Sequence, residues 1–314
     1  MNEVAVRLRA REGLDPLLSF GGVALTVAAV VAYERMQDSW AAFPLFLLVA
    51  VPCALLFYLA LLPSSGVPRE GQPSARWQSA LLAVGHLLLF GALVSLVRVL
   101  GEDNPGSATA TWTLAVTGLS ALFFSERLDS PGLRLLGLLV VAGSVLALVA
   151  WIDENASTSA YRDVLLAEGV LFLLYARTLY GLRPDHSHVA ASAAVVALVA
   201  GATLGVFGGL DTSSLFGGFG PTDLGENDGW ELLLLAVSIG ALAYSGWQRY
   251  RGTVYPGAVG LLFFLSAAAR GNLAGWPLIL ALVALGCFAW ALFGGPGRPG
   301  AGRSAGAGQE SSGM

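Results

Sequence analysis

The chain has 314 residues, of which 55% are hydrophobic and only 12% are charged. A soluble domain carries roughly 25% charged residues, so this composition excludes an ordinary soluble globular protein. The net charge is −4 and every basic residue is arginine. Without a basic patch to neutralise phosphates, the sequence predicts no nucleic-acid partner.

The apolar residues come in blocks of about 20 residues separated by short polar breaks, which is the pattern of membrane-spanning helices. The sequence therefore predicts an all-α fold, a polytopic transmembrane helix bundle of about ten spans in the lipid bilayer. We place these spans at residues 17–34, 42–62, 79–99, 109–125, 134–152, 163–182, 189–209, 231–248, 254–270 and 275–293. A multi-pass protein of a prokaryotic cell membrane is the predicted localisation.

The membrane domain is predicted to cover residues 17–293, between a cytoplasmic N-terminal arm at 1–16 and a cytoplasmic tail at 294–314. The tail is rich in Gly and Ser, a composition that predicts disorder. The arm mixes arginines with acids, and the first span lacks a small-residue cleavage site. We therefore do not expect a cleaved signal peptide.

The arginines orient the predicted bundle. In membrane proteins, cytoplasmic segments generally carry more Lys and Arg than outer segments. With ten spans, this rule holds at every turn when both termini lie in the cytoplasm. The cytoplasmic arginines are then Arg7, Arg9, Arg11, Arg69, Arg76, Arg127, Arg134, Arg177, Arg183, Arg249, Arg251, Arg298 and Arg303. The outer ones are Arg35, Arg98, Arg162 and Arg270.

Glu168 is the carboxylate that lies within an apolar block, in "AEGVLFLLYAR" at 167–177. A charge inside a bilayer is unfavourable, and proteins that keep one often use it. If the sixth span begins at 163, Glu168 lies roughly 8 Å below the outer boundary. Arg177 falls on the opposite helix face, so Arg98, at the outer end of the third span, is the better candidate partner. A structural ion pair, a glutamate facing a water-filled vestibule and a substrate or proton site all remain open.

His86, in "AVGHLLLFG", is the histidine inside a predicted span, and a hydrogen bond to a neighbouring helix is its simplest interpretation. The "DHSH" stretch at 185–188 lies in a short polar turn, and "DLGENDGWE" at 223–231 lacks the ligand spacing of a calcium loop. We predict no metal site and no other cofactor. Because catalytic motifs are not found either, we predict that the protein is not an enzyme.

"LLSFGGVALTVAAVVAYERMQDSWAAFPLFLLVAVPCALLFYLALL" leads a Gly-containing span through a Trp-containing turn into a long apolar span. "GALAYSGWQRYRGTVYPGAVGLLFFLSAAARGNLAGWPLILALVALGCFAWALF" closes the membrane domain with three spans and a basic turn. Both stretches resemble a broad group of uncharacterised prokaryotic polytopic membrane proteins. The resemblance implies an architecture but no activity, because that group has no assigned reaction.

"LFFSERLDSPGLRLLGLLVVAGSVLAL" at 122–148 resembles the end of a repeat in the drug/metabolite transporter superfamily, with Glu126, Gly137 and Gly143 at the matching positions. That superfamily has ten spans in two inverted repeats, so the resemblance implies such an architecture and a transport activity. The corresponding stretch at 262–278, "LFFLSAAARGNLAGWPL", shares the Phe pair but has no acid at that place.

These observations favour an integral membrane protein of unknown, non-enzymatic role, with a homo-oligomer or a membrane partner as possible associations. The alternative is a secondary transporter of a small metabolite, with Glu168, His86 and Arg98 as candidate substrate-binding residues. A transporter binds its substrate between repeats at broken helices, and Pro44, Pro52 and Pro277 could break spans. The contacts of Glu168 separate the two hypotheses.

Overall fold

The computed structural model describes residues 15–61, 76–102, 105–207, 228–248 and 250–270. All regular structure within these residues is helical, which confirms the predicted all-α class. The helices are α1 (Asp15–Met36), α2 (Ala42–Ala60), α3 (Arg76–Val99), α4 (Ser107–Leu128), α5 (Pro131–Ile152), α6 (Thr158–Leu179), α7 (Pro184–Phe207), α8 (Asp228–Gln248) and α9 (Val254–Arg270). A short 3-10 turn, Arg251–Thr253, precedes α9.

Six of these helices, α2, α3, α4, α5, α7 and α8, are long and apolar enough to cross a membrane. The protein is therefore of the multi-pass membrane type. Each predicted span from 17–34 to 254–270 coincides with one helix. The tenth predicted span at 275–293, residues 1–14 of the arm and the tail at 294–314 lie outside the described residues.

The turn between α4 and α5 shows how local sequence ends one helix and begins the next. Asp129 caps the C-terminus of α4 in the left-handed conformation, with φ 48°, and its N–H donates to the Ser125 carbonyl oxygen. Asp tolerates this conformation better than most non-Gly residues. Ser130 then caps α5 by accepting a hydrogen bond from the Leu133 N–H, and Pro131 occupies the first turn, where its missing N–H is not needed. The connection is consequently very short.

Consecutive helices pack as antiparallel hairpins, most extensively in the pairs α2–α3, α4–α5 and α6–α7. Glycines allow close approach of the backbones in the last two. A Cβ atom on Gly137 would lie 3.0 Å from the Leu122 nitrogen, and one on Gly201 would lie 3.2 Å from the Arg162 carbonyl oxygen. Such small-residue contacts are typical of membrane helices. Each hairpin is thus a closely packed unit.

The surface and the interior of the described bundle have the distribution expected in lipid. Large apolar side chains are exposed on the outside, including Val23, Val27, Leu47, Val51, Leu119 and Leu171. Polar side chains are buried between helices, including Gln78, His86, Thr113, Thr117, Glu168 and Ser238. Because lipid tails are as apolar as leucine, membrane helices associate through packing and interhelical hydrogen bonds rather than through the hydrophobic effect.

Two expectations about helix continuity and helix ends are corrected. α2 runs through both Pro44 and Pro52 as one helix, so neither proline breaks it. The sixth span was expected to begin at 163, but α6 begins at Thr158 and includes Arg162 and Asp163. These two side chains bond to each other, with 2.8 Å between Nε and Oδ1, and the helix accommodates them in its first turns.

Candidate functional site

Glu168 lies near the middle of α6, not near its end. Ten residues separate it from Thr158 and eleven from Leu179, so it is about 15 Å along the helix from either end. Its side chain is only 7% exposed and shares the buried face of α6 with Leu165, Gly169 and Ala176. The earlier start of α6 therefore places this carboxylate deeper in the bundle than the sequence suggested.

The Glu168 carboxylate has no protein partner among the described residues. Its Oε2 atom is buried and accepts no hydrogen bond, and none of the ion pairs formed in this part of the chain includes it. A buried carboxylate without a counter-charge or hydrogen-bond donors is strongly unfavourable. The surroundings of this carboxylate are therefore incomplete within the described residues.

Arg98, the predicted partner of Glu168, bonds elsewhere. Its Nη1 atom donates to the Tyr33 hydroxyl at 2.7 Å, which joins the end of α3 to α1. Of the alternatives left open for Glu168, a pair with Arg98 is therefore not the one that the structure forms. The physical reason is helix order: α3 packs against α1, α2, α4 and α5 in the described bundle, and its C-terminal end, which carries Arg98, contacts α1.

His86 is fully buried in α3 and uses both ring nitrogens. Nδ1 lies 2.7 Å from the Leu82 carbonyl oxygen, and Nε2 lies 3.2 Å from the Ser120 hydroxyl on α4. The neutral tautomer with hydrogen on Nδ1 satisfies both contacts. The ring also packs against Phe57 on α2, with centroids 4.9 Å apart. The predicted hydrogen bond to a neighbouring helix is confirmed, and His86 joins α2, α3 and α4 structurally.

The structure does not bring Glu168, His86 and Arg98 into one site. Each makes its contacts on a different set of helices. A cavity of about 380 Å³ lies between α2 and α3, but its lining is apolar and includes Phe46, Cys53, Phe57 and Leu96 rather than any of the three candidates. Glu168 is thus the one candidate whose chemistry is not already used within the described residues.

A second polar group, which sequence reasoning did not assemble, lies at the ends of α4 to α7. We call it the terminal ion network. It consists of Glu126, Asp129, Arg134, Arg183 and His186. Glu126 bonds to Arg134 through Oε1 and to Arg183 through Oε2, the latter at 2.6 Å. Asp129 Oδ1 lies 2.6 Å from His186 Nε2 and 4.0 Å from Arg183 Nη1.

Arg134 is the most deeply buried member of the terminal ion network, at 1% exposure. Its Nε atom donates to the Ser125 hydroxyl, and its guanidinium carbon lies 5.9 Å from the centre of the Tyr175 ring. The guanidinium therefore contacts α4 through Ser125 and Glu126, and α6 through an aromatic face. A buried arginine needs such partners, because its charge persists at any physiological pH.

The "DHSH" stretch proves to be the first turn of α7 rather than a loop, and its side chains bond to other helices. His186 bonds to Asp129, and the Ser187 hydroxyl donates to the Ala176 carbonyl oxygen on α6. His188 Nδ1 lies 2.8 Å from the Tyr244 hydroxyl on α8, and its ring stacks on Tyr250. The two histidines thus have different partners on different elements.

Sequence signals for the terminal ion network existed but were separate. In the sequence, Glu126 belongs to the stretch that resembles a transporter repeat, whereas Arg134 and Arg183 bear only on the orientation of the bundle. Comparison of the chain with protein-family models, with curated proteins and with solved structures finds no match. The resemblances to uncharacterised membrane proteins and to drug/metabolite transporters therefore stay predictions.

Proposed function

We propose that the protein is a carrier of the prokaryotic plasma membrane that moves a small organic solute, and that Glu168 contacts this solute. The observation that carries the proposal is the isolation of the Glu168 carboxylate in the middle of α6. In the ten-span threading proposed below, α6 crosses the membrane, and a carboxylate at membrane depth needs a proton, a cation or hydrogen-bond donors. No protein group within the described residues supplies one, which supports a solute as the partner.

Three arginines of the described helices support this proposal because each already has another partner. Arg134 bonds to Glu126, Arg162 bonds to Asp163, and Arg98 bonds to Tyr33. A cation recruited from any of these would leave its present partner. Intramembrane acids that are left without a protein partner are typically found on substrate or ion pathways.

For the threading of the carrier we propose ten spans with both termini in the cytoplasm. The support is the arginine distribution, with two or more arginines in every cytoplasmic segment and no more than one in any outer segment. In this arrangement the α4–α5 and α6–α7 turns face the cytoplasm. The terminal ion network then lies on the cytoplasmic side.

A structural or partner-binding subunit without transport activity is the second candidate function. It is favoured by the continuity of α2 through Pro44 and Pro52, because carriers commonly bind substrates at broken helices. It is also favoured by His86 and Arg98, which join helices to one another. We rank it second because it gives the Glu168 carboxylate no role.

The test is thermal unfolding of the detergent-purified protein with a panel of amino acids, organic amines, nucleosides, sugars and carboxylates. At about 1 mM, a solute with a Kd near 0.1 mM stabilises the folded state by about 1.4 kcal/mol. For a chain of this size the unfolding temperature should rise by about 2–4 °C. We expect at least one chemical class to do this for the wild type and not for Glu168→Gln.

Asp163→Asn is the matched control, because it neutralises an exposed carboxylate on the same helix. It should respond to the solute as the wild type does. Solutes that stabilise the wild type are then tested for uptake into proteoliposomes, where Glu168→Gln should abolish uptake. A panel without any hit, or a shift that persists in Glu168→Gln, would contradict the proposal and favour the structural subunit.

A further inference from the structure

We propose that the terminal ion network is a gate that closes one end of the bundle by holding the α4–α5 hairpin to the α6–α7 hairpin. The inference rests on the proposed carrier function, since only a carrier must open and close its ends in turn. It adds the regulation of access to that site.

The bonds of the network that cross between the hairpins form two parallel rungs. One rung joins Arg183 to Glu126 and the other joins His186 to Asp129, both at 2.6 Å. Each rung spans the same sequence separation of 57 residues. On each side the two bonded residues lie three positions apart in the chain, Glu126 and Asp129 on one side and Arg183 and His186 on the other. Both rungs therefore cross the same junction between the hairpins, and both would break if the hairpins separated.

A longer contact of 4.0 Å between Arg183 and Asp129 also crosses the junction, and the bonds of Arg134 lie within a single hairpin. Arg134 on α5 bonds to Glu126 on α4 and to Ser125, and so keeps the Glu126 carboxylate oriented towards Arg183. Asp129 keeps its place in the tight α4–α5 turn, which is tied in addition to α3 by the 3.0 Å bond between the Ser130 and Ser79 hydroxyls. Glu126 and Asp129 are thus held in position by contacts outside the α6–α7 hairpin, so their places do not depend on Arg183 and His186.

The hairpins themselves are built to stay intact during such a separation. α4 packs on α5 at Gly137, where a Cβ atom would lie 3.0 Å from the Leu122 nitrogen, and α6 packs on α7 at Gly169 and Gly201, where a Cβ atom would lie 3.3 and 3.2 Å from carbonyl oxygens. Between the hairpins, contacts at this end include the small residues Ala176, Ala190 and Ala193 with Leu138. Rigid hairpins joined by polar rungs and small side chains form an element with two discrete arrangements, closed and open.

The exposure of the Arg183–Glu126 rung suits a reversible contact, whereas in the other rung His186 is buried at 3% exposure against a 40% exposed Asp129. Arg183 is 45% exposed and Glu126 is 52% exposed, so water can replace the ion pair when the hairpins part. Arg134 keeps its bonds to Glu126 and Ser125 in either arrangement, because they lie within one hairpin, whereas its contact with the Tyr175 ring crosses to α6 and is lost when the hairpins part. The gate lies about 18 Å along α6 from Glu168, by the helical rise between residues 168 and 180.

Access to a buried position behind the gate provides the test. Ser192 lies on α7, six residues beyond His186, and is buried. Among the described residues its hydroxyl bonds within its own helix, to the His188 carbonyl oxygen. Ser192→Cys is introduced after Cys53→Ala and Cys287→Ala. The protein is reconstituted in liposomes, and labelling by a membrane-impermeant, positively charged methanethiosulfonate is timed from each side.

Removing a rung should raise the labelling rate. We expect Arg183→Gln to accelerate labelling from the network side by about tenfold, the change in open population when a gate loses 1.4 kcal/mol of closing free energy. Arg183→Lys keeps a cation within reach of Glu126 and should label nearly as slowly as the parent. Asp163→Asn breaks the ion pair at the other end of α6 and should leave the rate unchanged.

Equal labelling rates in Arg183→Gln and the parent would overturn the gate. So would an equal acceleration in Asp163→Asn, which would report general loosening of α6. The experiment requires no solute, so its result is separable from that of the solute panel. If no solute stabilises the protein but labelling depends on Arg183, the proposed solute site at Glu168 is refuted and the gate is retained. If a solute stabilises the protein but labelling does not depend on Arg183, only the gate is refuted.

Discussion

Glu126 on α4 bonds to two arginines at once, to Arg134 through one carboxylate oxygen and to Arg183 through the other. Arg134 is almost completely buried, whereas Arg183 is half-exposed. The same carboxylate thus neutralises an interior charge within its hairpin and reaches a surface charge from the next hairpin. The two interactions should contribute differently to stability, and substitutions can measure the difference.

Glu126→Gln should lower the free energy of unfolding by about 2 kcal/mol, because the buried Arg134 guanidinium loses its counter-charge. The effect should be smaller than for a fully buried pair, since Glu126 is half-exposed and water screens the interaction. Denaturant unfolding in detergent micelles measures it. Asp163→Asn removes an exposed carboxylate and is the control. Equal stability of the two variants would show that Arg134 does not depend on Glu126.

Tyr33→Phe should lower the free energy of unfolding by about 1–2 kcal/mol, because it removes the hydroxyl that accepts a hydrogen bond from Arg98. The buried Nε atom of Arg98 already has no partner among the described residues. Without the Tyr33 hydroxyl, the guanidinium would also lose its bond to α1. Tyr58→Phe is the matched control, since that side chain is exposed. A Tyr33→Phe variant as stable as Tyr58→Phe would mean that the bond contributes nothing to the α1–α3 contact.

The helices were largely predictable from the sequence, because blocks of about 20 apolar residues have few alternatives in a membrane. Helix ends were less so. α6 extends upstream through Arg162 and Asp163 because Ser157 supplies an N-cap, with its hydroxyl accepting from the Ala160 N–H. Hydropathy places the start of a span after the last charged residue, whereas the helix itself begins at its N-cap residue.

The candidate site was predictable only as a list of residues. His86 could be assigned to an interhelical hydrogen bond because few other roles suit a single histidine in a span, but the choice of Ser120 required the packing of α3 on α4. The rungs of the terminal ion network join residues 57 positions apart. Nothing in the local sequence at Glu126 or Arg183 indicates that partner. The same limit explains why Arg98 was paired with Glu168 instead of Tyr33.

Gly137→Ala should lower the free energy of unfolding by about 1–3 kcal/mol through overpacking. The new Cβ atom would lie within 2.7–3.0 Å of the Leu122 side chain and backbone nitrogen, and the backbone cannot move aside as a flexible side chain could. Gly132→Ala, in the same helix, meets nothing within 4 Å and should be neutral or stabilising by about 1 kcal/mol. Thermal unfolding of both variants checks the sign, and a stabilised Gly137→Ala would contradict close packing of α4 on α5.

Glu168→Gln tests the isolation of the carboxylate without any ligand. If Glu168 were part of a structural ion pair, the neutral amide would leave a buried cation without its partner, and stability would fall by about 3–5 kcal/mol. Since the described bundle supplies no such cation, the substitution should leave the free energy of unfolding unchanged or raise it by about 1 kcal/mol, because an amide is less unfavourable in an apolar interior than a carboxylate. Denaturant unfolding in micelles measures the difference, with Asp163→Asn as the variant that changes the same charge at an exposed position. A large loss of stability in Glu168→Gln alone would assign the carboxylate to a structural partner and remove the basis for a solute at α6.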